Sequence, residues 1–341
     1  MKLFLKLLGL LVGVPTVATV LFFFWASAGT ADKQTYADTF EYDAPSASQQ
    51  DSYTIVSYNI GYLSGLANNT TVRPEQSLFT ANQEKAIAAL QAVKPDIVGF
   101  QEIDMGAKRS YGVNQVDVLA KALGMRGSAI AVNWDKNYLP FPYWPISAHF
   151  GKILSGQAII SRYPIEKNNR IVLERVADKN FVFKAFYLDR LAQVAQLDID
   201  GKTLVVISVH LEAFDEETRV RQTQFVRSLA EDYAKTNPVI LMGDFNSALD
   251  RPTFVSAQGD TYTETKFSIK EMLASDLLTS AIPQENWSDK SNATFPADQP
   301  EYKLDYLFYT PSSIEVMNTQ VVTQADQSSD HLPLMMRFRL K

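Results

Sequence analysis

By its pattern the chain is an α/β protein, a single domain of packed sheets flanked by helices. Two observations predict this. From Tyr53 onward the sequence runs repeatedly through a strand-like segment, a loop and a helix-like segment, with many more strands than helices. After residue 52 no shift of composition, internal repeat or low-complexity tract marks a second domain. Hydrophobic residues are 46% of the 341 and charged residues 21%, which leaves apolar mass for a sizeable core.

The elements follow in order. Thr54-Ile55-Val56-Ser57-Tyr58 alternates and is β-rich, so it reads as a strand ending at Asn59. Residues 82–93 place Ile87, Leu90 and Val93 on one helical face, and Pro95 stops the helix. A second strand runs from Asp96 to Gln101 and ends at Glu102, and Gln115 to Leu123 is a helix stopped by Gly124. Strands at Ala158–Arg162 and Thr203–Val209 lead into Tyr163-Pro164 and His210. Asp215 caps a helix carrying Val220, Phe225, Val226 and Leu229 to about Lys235. Pro238–Met242 is a strand ending in Gly243-Asp244-Phe245-Asn246, and Leu304–Tyr309 and Pro333–Leu340 complete the set. Further strands are predicted at 170–176, 181–187 and 192–198. Segments 131–151 and 248–300 lack a period and read as long loops, a length usually kept for function or disorder.

The first 28 residues form a separate unit. Lys2 and Lys6 make a short basic leader, and no charge follows from Leu7 to Ala28. Such a run nearly matches a bilayer span and exceeds a usual signal-peptide core, so 1–28 reads as an N-terminal membrane anchor. Ala26-Ser27-Ala28 offers the alternative of a cleaved signal. Either way the domain at 52–341 is expected on the extracytoplasmic side, membrane-anchored or secreted, and as a monomer, with 29–51 as a linker. With Lys2 and Lys6 set aside, the net charge is about −8. No basic face for duplex DNA is visible in that balance. The chain has no cysteine, which excludes disulfides, thiolate zinc sites and cysteine nucleophiles.

Polar residues recur just past apolar strands: Asn59, Glu102, His210, Asp244, Asn246, Asp305 and Asp330-His331. Any one of them alone is an ordinary turn residue. Together they are what a phosphate-ester hydrolase needs at the rim of a rigid scaffold. A hard cation such as Mg2+ takes one or two carboxylates, water and substrate phosphate, and Glu102 with Asp330 and Asn59 suits it. A histidine oriented by a carboxylate activates water, and His331 with Asp305 is the predicted pair. Asp244 can position that water, Asn246 can donate to developing negative oxygens, and His210 can donate to phosphate or protonate the leaving group.

The ordered series Ser57-Tyr58-Asn59-Ile60, Gln101-Glu102-Ile103-Asp104, Ser161-Arg162-Tyr163-Pro164, Ser208-Val209-His210-Leu211, Gly243-Asp244-Phe245-Asn246-Ser247, Leu304-Asp305-Tyr306 and Ser329-Asp330-His331 resembles the endonuclease/exonuclease/phosphatase superfamily. The resemblance covers about residues 53 to 340. It implies a four-layer α/β sandwich of two mostly antiparallel sheets with helices outside, and dependence on Mg2+ or Mn2+. It implies that Glu102 is the principal metal ligand, supported by Asn59. Asp244 and Asn246 then position the nucleophile and stabilise the transition state, Asp305 orients His331, and Asp330-His331 is the terminal signature. The His210 position resembles the deoxyribonuclease and sphingomyelinase branches and differs from abasic-site endonucleases.

Arg109 and Arg162 are candidate contacts to an anionic substrate, with ion pairs as the plain alternative. Leu139-Pro140-Phe141-Pro142-Tyr143-Trp144-Pro145 is a candidate lip for a substrate or a membrane surface, the alternative being a loop packed on the sandwich. The expected activity is an exported phosphodiesterase acting on phospholipid, in the manner of sphingomyelinases. The alternatives are an exported nuclease, a sugar or inositol phosphate phosphatase, and a non-catalytic binding module. Complete retention of the signature residues argues against the last. The phosphatase needs a basic cluster that Lys266, Lys270 and Lys290 do not obviously form.

Overall fold

A computed structural model describes residues 2–45, 50–249, 253–255 and 261–341. Among them the strands are β1 (Thr39–Glu41), β2 (Tyr53–Asn59), β3 (Ile97–Asp104), β4 (Gly127–Leu139), β5 (Gly151–Ser161), β6 (Ile165–Val172), β7 (Leu191–Ile199) and β8 (Lys202–His210). They continue with β9 (Val239–Asp244), β10 (Thr253–Val255), β11 (Thr261–Thr263), β12 (Thr279–Ser280), β13 (Asp305–Tyr309), β14 (Ile314–Val321) and β15 (Leu334–Leu340). The α-helices are α1 (Lys2–Ser27), α2 (Gln76–Val93), α3 (Gln115–Ala122), α4 (Phe181–Phe186) and α5 (Glu216–Ala234).

Two sheets form. One has the order β1-β4-β5-β3-β2-β15-β14 and the other β12-β13-β9-β8-β7-β6, with β10 and β11 pairing apart. Each sheet has one parallel pair, β2 with β3 and β8 with β9, and its other neighbours are antiparallel. A parallel pair needs a crossover, and α2 and α5 supply the two. Side chains alternate as the pleat requires. Ile55, Ile97 and Ile159 of the first sheet join Val194, Val206 and Leu241 of the second in one core. Val56, Tyr58, Val98 and Phe100 point the other way, onto Ala86 and Leu90 of α2 and Leu119 of α3. Val226 and Ala230 of α5 pack with the second sheet. The predicted α/β sandwich with flanking helices is therefore the observed fold.

Several elements differ from the sequence expectation. Where a strand was expected at 181–187, residues 181–186 form α4, because Asn180 accepts a hydrogen bond from the Phe183 backbone N–H and caps a short helix. The segment 131–151 is mostly the β4–β5 hairpin, whose pairing runs from Gly127↔Ser161 to Leu139↔Gly151 with two register shifts. Those shifts, and the polar residues Asn133, Asp135 and Lys136, break the alternation that marks a strand. The strand expected at 170–176 is β6, which begins earlier, at Ile165, after a short turn through Tyr163-Pro164 from the end of β5 at Ser161, and ends at Val172.

The stretch 29–51, read as a linker, is pinned over its described part. The Asp135 carboxylate accepts hydrogen bonds from Thr30 N, Thr30 Oγ1, Ala31 N and Tyr36 Oη at 2.7–2.9 Å. β1 then adds to the edge of β4. Residues 46–49 lie outside the described residues. α1 is helical throughout the expected anchor, but most of its first ten side chains lie outside those described. Among the described residues no helix is long and apolar enough to cross a membrane.

Candidate active site

Both parallel pairs end at the same edge of the sandwich. In the second sheet His210 is paired with Asp244, and Asp244 with Asp305, so three site residues occupy one rung across β8, β9 and β13. In the first sheet Asn59 pairs with Gln101. Between Phe100 and Ile103 the β3–β5 register shifts, and Glu102 takes a φ of +51°. Strict alternation would aim Glu102 with Val98 and Phe100 toward the helices. The bulge re-aims it into the cleft. Gly243 has a φ of +140°, and a Cβ there would lie 2.0 Å from the Val209 carbonyl oxygen, so only glycine can precede Asp244.

These elements bring the predicted residues together. Asn59 Nδ2 donates to Asp244 Oδ2 at 3.0 Å and to Glu102 Oε1 at 3.5 Å. His331 Nδ1 donates to Asp305 Oδ2 at 2.9 Å, while its Nε2 lies 3.8 Å from Asp244 Oδ2. His210 Nε2 lies 3.6 Å from Asp244 Oδ2 and 3.8 Å from Glu102 Oε1. Asn246 donates its backbone N–H to Asp244 Oδ1 at 2.8 Å and one amide hydrogen to Leu211 O at 3.1 Å. The first bond fixes the Asp244 carboxylate.

Charge states follow from this packing. Burial alone would lower the His331 pKa, but the Asp305 and Asp244 carboxylates outweigh it and push the imidazole up to about 10. Burial raises Asp244 to about 6, with His331 pulling the other way. His210 is held well below 6.5 by burial, with Arg190 and His331 adding to the effect. In the free site His331 is therefore an imidazolium and His210 a neutral ring. The geometry of the predicted His331–Asp305 pair is present. The protonated ring is nevertheless poorly suited to accept a proton, because it already holds one.

Asn68, which was not among the predicted site residues, ties the acidic end together. Its Nδ2 donates to Glu102 Oε2 at 2.9 Å and sits 3.2 Å from both Asp330 oxygens. Burial raises the Asp330 carboxyl to about 6; His331 opposes this and Glu102 adds to it. Among the described residues no group of three or more His, Asp and Glu side chains stands ready to cage a metal. Two converging carboxylates beside amide groups nevertheless fit a hard divalent cation, which uses few protein ligands. Glu102 and Asp330 would hold it, with Asn59 and Asn68 beside them.

The two arginines are placed differently from expectation. Arg109 is buried, bonded through Nε and Nη2 to Asp104 and through Nη2 to Ser155. It is neither a free phosphate contact nor a solvated pair. Arg162 lies beside Asp96, to whose carbonyl its backbone N–H donates. β5 runs antiparallel to β3, so this is the opposite end of β3 from Glu102, roughly 20 Å away at about 3.3 Å per residue. Other residues at the site were not singled out. Ser329 Oγ donates to Asn59 O at 2.8 Å, and the Phe295 ring lies 4.9 Å from that of His331. Lys303 is buried and donates to Asp305 O at 2.7 Å, and burial lowers its pKa to about 7. Ser329 stood inside a motif named above, and an Asn shortly after the Gly61 and Gly65 turns that follow β2 was the available signal for Asn68.

A fold of two such sheets with this edge defines a class of phosphoric ester hydrolases. The chain belongs to the endonuclease/exonuclease/phosphatase family, whose pattern matches residues 56–331. Its members are phosphoric ester hydrolases that generally use divalent metals. A UPF0294 protein of Vibrio cholerae serotype O1 is 30% identical over 141 residues, 41% of this chain and 42% of that protein. The match thus spans less than half of that relative's length. An endonuclease/exonuclease/phosphatase from Beutenbergia cavernae shares the fold with a TM-score of 0.58 and 20% identity, over 85% of this chain and 72% of that one. The human Nocturnin catalytic domain with bound sulfate gives 0.57 and 18%, over 92% and 100%. A mannosyl-6-phosphatase of Bacteroides thetaiotaomicron gives 0.55 and 17%, over 85% and 99%.

Proposed function

We propose that the chain is a phosphodiesterase dependent on Mg2+ or Mn2+, held at a membrane by α1 with its domain on the extracytoplasmic side, and acting on phospholipid. The observation that carries the reaction class is the rung Asp305–Asp244–His210, closed by His331 and facing Glu102 and Asp330. The cation, when bound, neutralises charge on the phosphate. Asp244, with a carboxyl near 6, suits the role of orienting a water and taking its proton at neutral pH. The His331 imidazolium, fixed by Asp305, then stabilises charge developing on phosphate oxygens. Neutral His210, its Nε2 facing Asp244 and Glu102, is placed to donate a hydrogen bond to a phosphate oxygen, and Asn59 holds Asp244 and Glu102 in register.

Phospholipid is favoured by the surface around α1. Phe22 and Trp25 of α1 lie 5.7 and 6.4 Å from the Tyr138 ring, and Phe23 lies 5.6 Å from Phe186. Beyond Tyr138 the same hairpin exposes Tyr143, Trp144 and Ile146, and α4 exposes Phe181 and Val182. Aromatic residues beside an apolar helix suit a bilayer interface. The acidic net charge disfavours duplex DNA.

The full chain, purified in mild detergent, tests this with Mg2+ or Mn2+ on bis(4-nitrophenyl) phosphate, on sphingomyelin-containing vesicles and on plasmid DNA. EDTA and Glu102→Ala serve as controls. Metal-dependent cleavage of the chromogenic diester and of vesicle lipid supports the reading. Nicked plasmid with intact lipid transfers it to the nucleases, and activity surviving Glu102→Ala removes the site assignment.

A further inference from the structure

The catalytic rung reaches further across its sheet than the site itself. Val172 pairs with Leu191, Leu191 with His210, His210 with Asp244 and Asp244 with Asp305, so residues 173–190 leave and re-enter the sheet at the catalytic edge. In the first sheet β3 and β5 stay paired to Asp104↔Ser155, and β4 and β5 continue to Leu139↔Gly151. From Ser155 to Gly151 the hairpin extends about 13 Å beyond that pair, at roughly 3.3 Å per residue. Both excursions therefore rise from the edge at which Glu102 and His210 meet. They are joined at the base. Trp134 Nε1 donates to Phe186 O at 2.8 Å, and Phe141, Phe150, Phe186 and Leu188 pack on Trp134 and Leu139. Tyr187 Oη donates to the two oxygens of Glu212, shortly past His210, at 3.0 and 3.1 Å.

The outer surface of this platform is apolar. Tyr143 is 77% exposed, Trp144 74%, Phe181 73% and Ile146 63%. Large apolar side chains gathered in water on one face mark an interaction surface. The ring of Phe23 in α1 lies 5.8 Å from that of Phe181, so the platform continues into a helix with no charged residue from Leu7 to Ala28. Charge selects the partner. Residues 136–152 hold two lysines and no acidic residue, and 173–189 hold three residues of each sign. Arg190 is buried against Glu212 and adds nothing at the surface. The two segments thus carry a net +2 in a chain whose total is −6. Aromatic residues with lysines beside them match the headgroup and upper acyl layers of a bilayer that contains anionic lipid. Resting on the phospholipid reading above for what the seat serves, we propose that the catalytic edge is itself the docking face for such a bilayer. Residues 141–146 and 181–182 are seated in the lipid, and the cleft is held at its surface.

The chain has no cysteine, so Ile146→Cys, Val182→Cys and Glu166→Cys each take a single NBD fluorophore. Glu166 is exposed and lies near the start of β6, at the opposite edge of the sheet from Val172. The full chain is reconstituted into vesicles of phosphatidylcholine and phosphatidylglycerol in EDTA, which stops turnover, with a nitroxide in the upper acyl chain as quencher. A seat about 5–10 Å deep is expected to quench the labels at 146 and 182 by at least about half and to leave the label at 166 unquenched. In a separate assay with Mg2+, Trp144→Ser combined with Phe181→Ser is expected to lower cleavage of vesicle lipid at least about tenfold, while bis(4-nitrophenyl) phosphate hydrolysis stays within about twofold. Labels at 146 and 182 quenched no more than the label at 166 overturn the docking face. Quenching that vanishes as the protein is diluted in lipid also overturns it, because a second copy then covers the surface. An unchanged ratio of lipid to diester cleavage in the double variant overturns the link between seat and cleft. Quenched labels on a parent that cleaves the diester but no vesicle lipid overturn the substrate reading alone.

Discussion

Replacing Asp305 by Asn keeps the shape at His331 Nδ1 and removes the charge. His331 moves from 6.5 to about 10 in the folded protein. At about 1.36 kcal/mol per unit this is about 5 kcal/mol of preference for the imidazolium. Burial works against the shift, and Asp305 contributes more of the rise than Asp244. Assigning at least half to Asp305, about 2–3 kcal/mol, Asp305→Asn lowers the His331 pKa by about 2 units. The chain has only three histidines, so a ring-nitrogen NMR titration resolves them individually. In the parent, metal-free, His331 stays protonated through neutral pH while His210 stays neutral. In Asp305→Asn, His331 titrates closer to neutral and kcat falls by about 10^2–10^4. The stability linkage has a definite sign. A raised folded pKa stabilises fully below 6.5, and that contribution is lost as pH rises through about 10. The stability advantage of the parent over Asp305→Asn should therefore shrink across this window. A His331 that titrates near 6.5 in the parent, or identically in both proteins, refutes the reasoning.

Three further outcomes are expected. In Glu102→Gln, the rise in melting temperature on adding Mg2+ or Mn2+ disappears, whereas in the parent saturation at a hundredfold over Kd adds about 2.7 kcal/mol; an unchanged shift would place the metal elsewhere. Arg109→Leu leaves Asp104 buried and uncompensated and should cost about 3–5 kcal/mol in urea unfolding, with Asp104→Leu added in the same chain recovering part of the loss. Asp135→Ala removes the acceptor for Thr30, Ala31 and Tyr36, so limited proteolysis should cut the segment after α1 faster while diester turnover stays within twofold.

The places of Asn59, Glu102, His210, Asp244, Asp305 and His331 were legible because each follows or begins a short apolar run, and period-two alternation is a local property. The pairing of His331 with Asp305 was legible from their chemistry and their motifs. The β4–β5 hairpin was not, since its polar residues serve contacts distant in sequence: Asp135 holds residues 30–36, more than 90 positions away. α4 was misread because one cap at Asn180 outweighs the β propensity of Phe181, Val182 and Phe183. Arg109 and Arg162 look alike in sequence, as basic residues near strand ends. Strand direction and burial separate them, since one is sealed against Asp104 and the other lies at the far end of β3.

By itself the sequence determined the α/β class, the strand-end positions and the oxygen- and imidazole-bearing residues of the site, because alternation and residue chemistry are carried within a few positions. Only the tertiary structure decided which groups share a proton and which carboxylates converge on Asn68. It also decided that Glu102 turns into the cleft. Those depend on sheet register, on one bulge and on burial, which arise from residues brought together from distant parts of the chain.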